Sequence, residues 1–75
     1  MPQLSDHDRL AIRRALIELI RAQRGAYEVP QAIQKVREDH QYDPRAVHYV
    51  IDDELEFGQL DLNNVNRLVL RTQAA

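Results

Sequence analysis

The apolar residues of this chain change their spacing once, directly after Gly58. Up to that glycine they recur at intervals of three and four residues, the spacing that lines one face of an α-helix. In the following segment, "QLDLNNVNRLVLR", they alternate as in a strand with one buried face. This change predicts a fold that is mainly α with a small β-hairpin at its end.

The first predicted helix covers about residues 8–24. Ser5 or Asp6 is expected to cap it, because a short polar side chain can accept a hydrogen bond from a free backbone N–H of the first turn. Gly25 supplies the stop. The face expected to be buried carries Ile12, Ala15, Leu16, Leu19, Ile20 and Gln23.

Proline marks the start of two further helices. Pro30 is expected at the first position of the second helix, which follows "GAYE", a segment with room for a bridge or a brief strand, and ends near His40. Asp43 and Pro44 form the cap and first residue of the third helix, which ends at Gly58. The apolar spacing predicts the buried side of the third helix: Val47, Val50, Ile51 and Leu55.

The alternating segment predicts a short hairpin. Leu60 and Leu62 lie on its first strand, the chain is expected to turn at Asn63 and Asn64, and the second strand returns through residues 68–70. The complete order is three helices and then two strands.

Length and composition predict one domain, residues 1–75, ordered over about residues 6–71. The 44% hydrophobic and 29% charged content is typical of a globular chain, and without cysteine there is neither a disulfide nor a thiolate ligand. No apolar run approaches the ~20 residues of a membrane span. We therefore expect a cytoplasmic protein that binds no membrane.

The sequence contains no pattern typical of catalysis. Two glycines form no phosphate-binding loop, and Ser5 is the only serine. His48 and Asp52 stand four residues apart, but two side chains make a weak metal site. The expectation is a protein that is not an enzyme and that has no cofactor or metal.

The predicted order, together with the phrase "AVHYVIDDELEFGQLDL", resembles the winged helix-turn-helix superfamily over about residues 8–71. The resemblance implies a three-helix winged domain and a regulator of transcription, whose third helix enters the major groove of duplex DNA while the hairpin, or wing, contacts the backbone. The DNA-binding residues that it implies are Arg45, His48, Tyr49, Gln31, Lys35, Asn64 and Arg67.

The exposed side of the third helix changes sign along its length. At 100° per residue, Arg45, His48, Tyr49, Asp52 and Glu56 share one stripe. The first turns suit DNA, whereas carboxylates in the last two turns would be repelled by phosphates wherever they approached them. Simple solvation of the acidic half is an equally weighted interpretation.

Glu54 departs from the superfamily pattern, which usually has a large apolar residue at this position. Because an unpaired buried carboxylate is costly, we expect Glu54 either to reach Arg13 or Arg14 or to mark fraying of the last turn. Tyr27 and Phe57 are expected to fill the core, and Tyr42 to lie in the turn before the third helix.

The first helix carries a second apolar pair, Leu10 and Ile17, among arginines that include Arg14 and Arg21. This ridge predicts either a partner helix in a homodimer or cover from the hairpin or the C-terminal tail of the same chain. Since the net charge of −2 gives no overall attraction to DNA, a second function stays open. It is a protein-interaction module, an adaptor or inhibitor, that docks through the acidic stripe or the ridge.

Overall fold

The computed structural model describes residues 5–71 and has the predicted order of elements. Three helices are followed by one antiparallel pair of strands, so the predicted class, mainly α with a small β-hairpin, is confirmed. The arrangement is compatible with a winged helix. The elements are α1 Asp6–Ala22, α2 Val29–His40, α3 Pro44–Phe57, β1 Leu60–Leu62 and β2 Leu68–Leu70.

Local capping determines where α1 and α3 begin. Ser5 Oγ caps α1 by accepting from the backbone N–H of Asp8 at 3.1 Å, so the helix begins at Asp6. Both ends of α1 lie two residues earlier than the sequence predicts. Asp43 Oδ1 accepts from Arg45 N at 2.9 Å, as expected for the cap of α3. Because these bonds satisfy backbone N–H groups that no helical carbonyl reaches, they fix the first turns.

The start and the end of α2 have different causes. The helix begins at Val29, so Pro30 occupies its second position and not its first. At the other end Gln41 adopts the left-handed conformation with φ 59°, and its N–H donates to Arg37 O at 2.8 Å. Tyr42 lies between α2 and α3, as expected, and its ring stacks on His40 with centroids 5.9 Å apart.

The hairpin has a longer connection than the sequence predicts. β1 and β2 pair in register, Leu60 opposite Leu70 and Leu62 opposite Leu68. Asn63 N then donates to Arg67 O at 2.9 Å, which extends the pairing by one step, so the chain reverses over residues 64–66 and not at Asn63–Asn64.

The side chain of Asn63 holds this reversal together. Its Oδ1 accepts from the backbone N–H groups of Val65 and Arg67, both at 3.0 Å. Asn66 takes up the left-handed conformation, with φ 62°, that a three-residue connection commonly needs. The side chain of Asn63 therefore fixes the backbone of the reversal, and Asn66 supplies its left-handed residue.

The connection between α1 and α2 forms a single bridge, which the segment "GAYE" has room for, and its partner is the hairpin. Glu28 forms an isolated antiparallel bridge with Arg67, and Leu68 N donates to Tyr27 O at 2.7 Å. Gly25, at φ 70°, donates to Leu68 O at 3.3 Å. These bonds attach the hairpin to the helices through its second strand.

The buried side chains form one cluster between the helices and the hairpin. α1 and α3 contribute the apolar faces that the spacing predicts, although Ala15, Leu19 and Leu55 are only partly buried, and α2 contributes Ala32 and Val36. The prediction for Gln23 is wrong, since this residue follows the end of α1 and is exposed. Members of this cluster are Ile12, Leu16, Ile20, Ala32, Val36, Val47, Val50, Ile51, Leu60, Leu68 and Leu70.

Two core predictions have different outcomes. Tyr27 is partly buried and packs against the cluster, as expected. The prediction for Phe57 is wrong, since 76% of this residue is exposed. Phe57 is the last residue of α3 and lies at the edge of the stripe formed by Val47, Val50, Ile51 and Glu54, so its exposure follows from its place at the end of the helix and not from its side of the helix.

Within residues 5–71, no helix combines the length and the apolar character required to cross a lipid bilayer.

Candidate nucleic-acid interface

The first two turns of α3 expose the side chains assigned to DNA by the resemblance. Arg45 has 87% of its side chain exposed and His48 has 56%. Tyr49 is 48% exposed. Val47 and Val50 are buried on the opposite face of α3, so the helix cannot rotate without exposing them. The side chains of Arg45, His48 and Tyr49 therefore point away from the domain.

The ion pairs near this surface are loose. Arg45 Nη2 lies 3.7 Å from Asp43 Oδ2, and His48 Nε2 lies 3.6 Å from Asp52 Oδ2. Exposed pairs at such distances contribute ~0–1 kcal/mol, because water screens them and both side chains lose freedom. The guanidinium of Arg45 can therefore exchange Asp43 for an anionic ligand at little cost.

The last two turns of α3 are less acidic at the surface than the sequence indicates. Arg9 of α1 donates through Nη2 to Oδ2 of Asp53. Arg13 of α1 donates through Nε to Oε1 of Glu54 at 2.8 Å. Two of the four carboxylates in these turns are thus paired with α1, which leaves Asp52 and Glu56 as exposed acids.

The pairing of Glu54 with Arg13 confirms one of the two arginines named from the sequence. Only 9% of the Glu54 side chain is exposed, and its Oε1 also accepts from Gln59 N at 3.4 Å. The carboxylate therefore joins α1, the end of α3 and the start of the hairpin. The alternative of a frayed last turn is not seen, since Gly58 N donates to Glu54 O at 3.0 Å.

The pair between Arg9 and Asp53 is not among the contacts predicted from the sequence. A signal for it exists, because Arg9 stands four residues before Arg13 and so shares its side of α1, while Asp53 adjoins Glu54. Where α1 crosses α3, the contact that pairs Arg13 with Glu54 also brings Arg9 close to Asp53.

The side chains proposed on α2 lie along an open groove at the start of that helix. Gln31 and Lys35 line it together with Tyr27. Gln31 also has a structural role, because its Oε1 accepts from Glu28 N at 2.9 Å. A phosphate would need the Nε2 donor of Gln31, which this bond does not use. Lys35 Nζ lies 3.6 Å from Asp39 Oδ1, again a loose pair.

The wing brings Arg67 close to this groove and places Asn64 elsewhere. Arg67 is exposed, and its backbone bridge to Glu28 sets it beside the start of α2. Asn64 lines a different depression, between the hairpin and the end of α1, together with Arg24 and Gly25. The wing residues therefore do not converge on one point.

Arg71 is not available as a phosphate ligand in the way that its charge suggests. Its Nη2 donates to the carbonyl of Leu55 at 2.7 Å and to that of Leu60 at 3.1 Å. These bonds attach the end of the hairpin to the end of α3, so the role of Arg71 is structural.

The ridge predicted on α1 is only partly apolar at the surface. Leu10 is 58% exposed, whereas Ile17 is partly buried and packs against the core. For Ile17 the cover comes from the same chain. Arg14 and Arg21 are exposed beside them.

Comparison of the chain with protein families, with curated proteins and with solved structures finds no match.

Proposed function

We propose that this protein is a small winged-helix regulator that binds duplex DNA through the first two turns of α3, assisted by α2 and the wing. The observation that carries the proposal is the exposed set Arg45, His48 and Tyr49 on a helix whose opposite face is fixed in the core. A helix held in this way can enter the major groove as a rigid unit.

The chemistry of the three side chains suits such a role. Arg45 can donate two parallel hydrogen bonds to a guanine, and His48 and Tyr49 can donate to phosphate or to base edges. The ion pairs of Asp53 and Glu54 with α1 support the proposal, because they lower the negative charge that the end of α3 would bring towards the phosphates.

Few cations are available, so the affinity is expected to be modest. Arg45, Lys35 and Arg67 are the basic members of the proposed interface, and Arg37 on α2 is exposed as well. With three or four neutralised phosphates, affinity should fall about 40- to 150-fold between about 50 and about 200 mM salt. A firmer complex would need a second copy of the chain on the same duplex.

A fluorescence-anisotropy titration of a labelled generic duplex at those two salt concentrations tests the proposal. Arg45→Ala should weaken binding and reduce the salt slope by about one charge, while Arg45→Lys should keep the slope and lose any preference for guanine. Asp53→Ala is the control and should not weaken binding. Equal losses for Arg45→Ala and Asp53→Ala would contradict the assigned orientation of α3.

A second function is favoured by a different observation. Asp52 and Glu56 are exposed acids, and Phe57 next to them is 76% exposed, a combination more typical of a protein-docking surface than of a DNA-contacting one. On this interpretation the protein is an adaptor or inhibitor. Absence of any duplex binding at about 50 mM salt would refute the DNA-binding proposal and leave this one.

A further inference from the structure

We infer that α1 and the end of α3 together form a self-complementary surface through which two copies of this chain associate in an isologous dimer. The inference goes beyond the proposed function and does not depend on DNA binding.

The ion pair between Arg9 and Asp53 joins the two halves of this surface. Leu10 follows Arg9, and Asp52 precedes Asp53, so each lies about 100° around its helix from the paired residue, on the side away from the core. The outer side of α1 and the outer side of α3 are therefore neighbouring parts of one face. We call this face the α1/α3 face.

The two halves of the α1/α3 face have opposite charge. The α1 half exposes Arg14 and Arg21, with Glu18 between them. The α3 half exposes Asp52 and Glu56, and Arg45 lies on the same stripe in the first turn of the helix. Arg14 and Arg21 are two turns apart and the acids one turn apart, a difference that long arginine side chains can span. The α1 half thus carries a net positive charge, and the last two turns of the α3 half carry a negative one.

This arrangement fits a second copy better than it fits an unrelated partner of one charge. A two-fold axis through the middle of the face places the basic half of each copy over the acidic half of the other, and an isologous contact makes every complementary pair twice. The inference also accounts for the acids of α3, which face the partner copy and not the phosphates.

Apolar side chains stand at the places where a dimer needs them. Leu10 is 58% exposed on the α1 half, and Phe57 is 76% exposed at the end of α3, one turn beyond Asp53. An apolar centre within a charged rim is the usual composition of a protein interface. The burial of Phe57 in a dimer would explain why an aromatic residue sits at an exposed helix end.

The dimer is expected to be weak. α1 has 17 residues and α3 has 14, so the helices are about 25 and 21 Å long, and the face is small compared with the ~800 Å² per partner of a standard interface. We expect a dissociation constant in the micromolar range that rises with salt, because much of the attraction is between exposed charges.

Charge-reversal variants provide the test, read by sedimentation velocity over a range of concentrations up to about 1 mM, near the weak limit for a specific contact. One variant combines Arg14→Glu with Arg21→Glu, and the other combines Asp52→Lys with Glu56→Lys. Each places like charges opposite one another in its own dimer, so each should sediment as a monomer. An equimolar mixture should again form a dimer, because both contacts of the mixed pair are complementary.

Controls separate this result from effects of net charge and of folding. Glu38→Lys with Asp61→Lys makes the same change in net charge as Asp52→Lys with Glu56→Lys, at exposed positions outside the α1/α3 face, and it should dimerise like the unaltered chain. Circular dichroism should show the helical content of every variant unchanged. Phe57 lies outside the core, so Phe57→Ser should weaken the dimer. It should not alter the thermal midpoint measured at a low concentration, at which the chain is monomeric.

Three outcomes would overturn the inference: an unaltered chain that stays monomeric at the highest concentration, charge-reversal variants that dimerise as well as the unaltered chain, or a mixture of the two variants that stays monomeric. None of these outcomes bears on the anisotropy of Arg45 variants with DNA, so the two proposals fail independently.

Discussion

Gly58 lies directly against the carboxylate of Glu54. Its φ is −118°, so it does not occupy the left-handed region that favours glycine. A Cβ at this position, however, would lie 2.5 Å from Glu54 Oε1 and 2.6 Å from both Cδ and Oε2. We therefore expect Gly58→Ala to act by displacing the Glu54 side chain.

The size of the effect follows from the contacts of that carboxylate. Ordinary van der Waals contact begins near 3.4 Å, so Oε1 must move by about 0.9 Å. Such a shift lengthens the 2.8 Å bond from Arg13 beyond hydrogen-bonding distance and removes the weak bond from Gln59 N. Loss of a charge-assisted bond at a largely buried acceptor costs about 1.5–3 kcal/mol.

A double-mutant cycle isolates this mechanism. In the Glu54→Ala background there is no carboxylate to displace, so adding Gly58→Ala should cost about 2 kcal/mol less than it does in the unaltered chain. The coupling energy between the two positions should therefore be about 2 kcal/mol.

Chemical denaturation of the four proteins at fixed pH and concentration measures the cycle. The expected coupling energy of about 2 kcal/mol would correspond, in a thermal experiment on a chain of this length, to a shift of ~8–16 °C in the midpoint. It is therefore well above experimental error. If Gly58→Ala costs the same with and without Glu54, within ~0.5 kcal/mol, the explanation of Gly58 by the carboxylate is wrong.

Four further predictions concern stability, each checked by denaturant unfolding. Glu54→Leu should change the unfolding free energy by less than ~1.5 kcal/mol or increase it, because an apolar side chain replaces a buried ion pair at a position where Arg13 can turn to water; a loss above 3 kcal/mol would contradict this. Leu16→Ala should cost ~2–5 kcal/mol at a fully buried site, whereas Phe57→Ala should cost under ~0.5 kcal/mol; similar losses would show that Phe57 is buried. Asp43→Ala should cost about 1 kcal/mol by removing the cap of α3, and an unchanged midpoint would refute the capping role. Asn63→Ala should destabilise the hairpin by about 1–2 kcal/mol while its neighbour Asn64→Ala should not, and equal effects would contradict the role given to the Asn63 side chain.

The acidic half of α3 has an explanation only when α1 is considered with it. In the sequence, the end of the third helix is one negative segment, formed by Asp52, Asp53, Glu54 and Glu56. The first helix is rich in arginine. In the folded chain the two inner carboxylates, Asp53 and Glu54, pair with arginines of α1. The two outer carboxylates, Asp52 and Glu56, remain exposed. The outer acids lie on the same stripe of α3 as Arg45 but about two and three turns further along, so the proposed DNA contact and the proposed partner contact lie towards opposite ends of a helix of 14 residues.

Short-range chemistry alone determined the elements of this fold. The start of α3 at Asp43 and Pro44, its end at Gly58 and the change to strand spacing afterwards all depend on contacts within about four residues, so they can be predicted from the sequence. The bridge after Gly25 is different, because its partner Arg67 is far away in the chain and is set by the packing of the hairpin. The turn of the hairpin was misplaced because Asn63 could be recognised as a turn residue but not as an acceptor for Arg67, four residues on.

Tertiary structure decided what the side chains at the surface do. The amino-acid sequence predicted that Glu54 needs an arginine, because burying an unpaired charge is costly, but the choice of Arg13, 41 residues away, depends on how α1 crosses α3. The same crossing pairs Arg9 with Asp53, and the packing of the helix ends leaves Phe57 in solvent. Helical periodicity fixes which side of a helix is buried, while the positions of the helices relative to one another depend on packing between segments far apart in the chain, which no local pattern records.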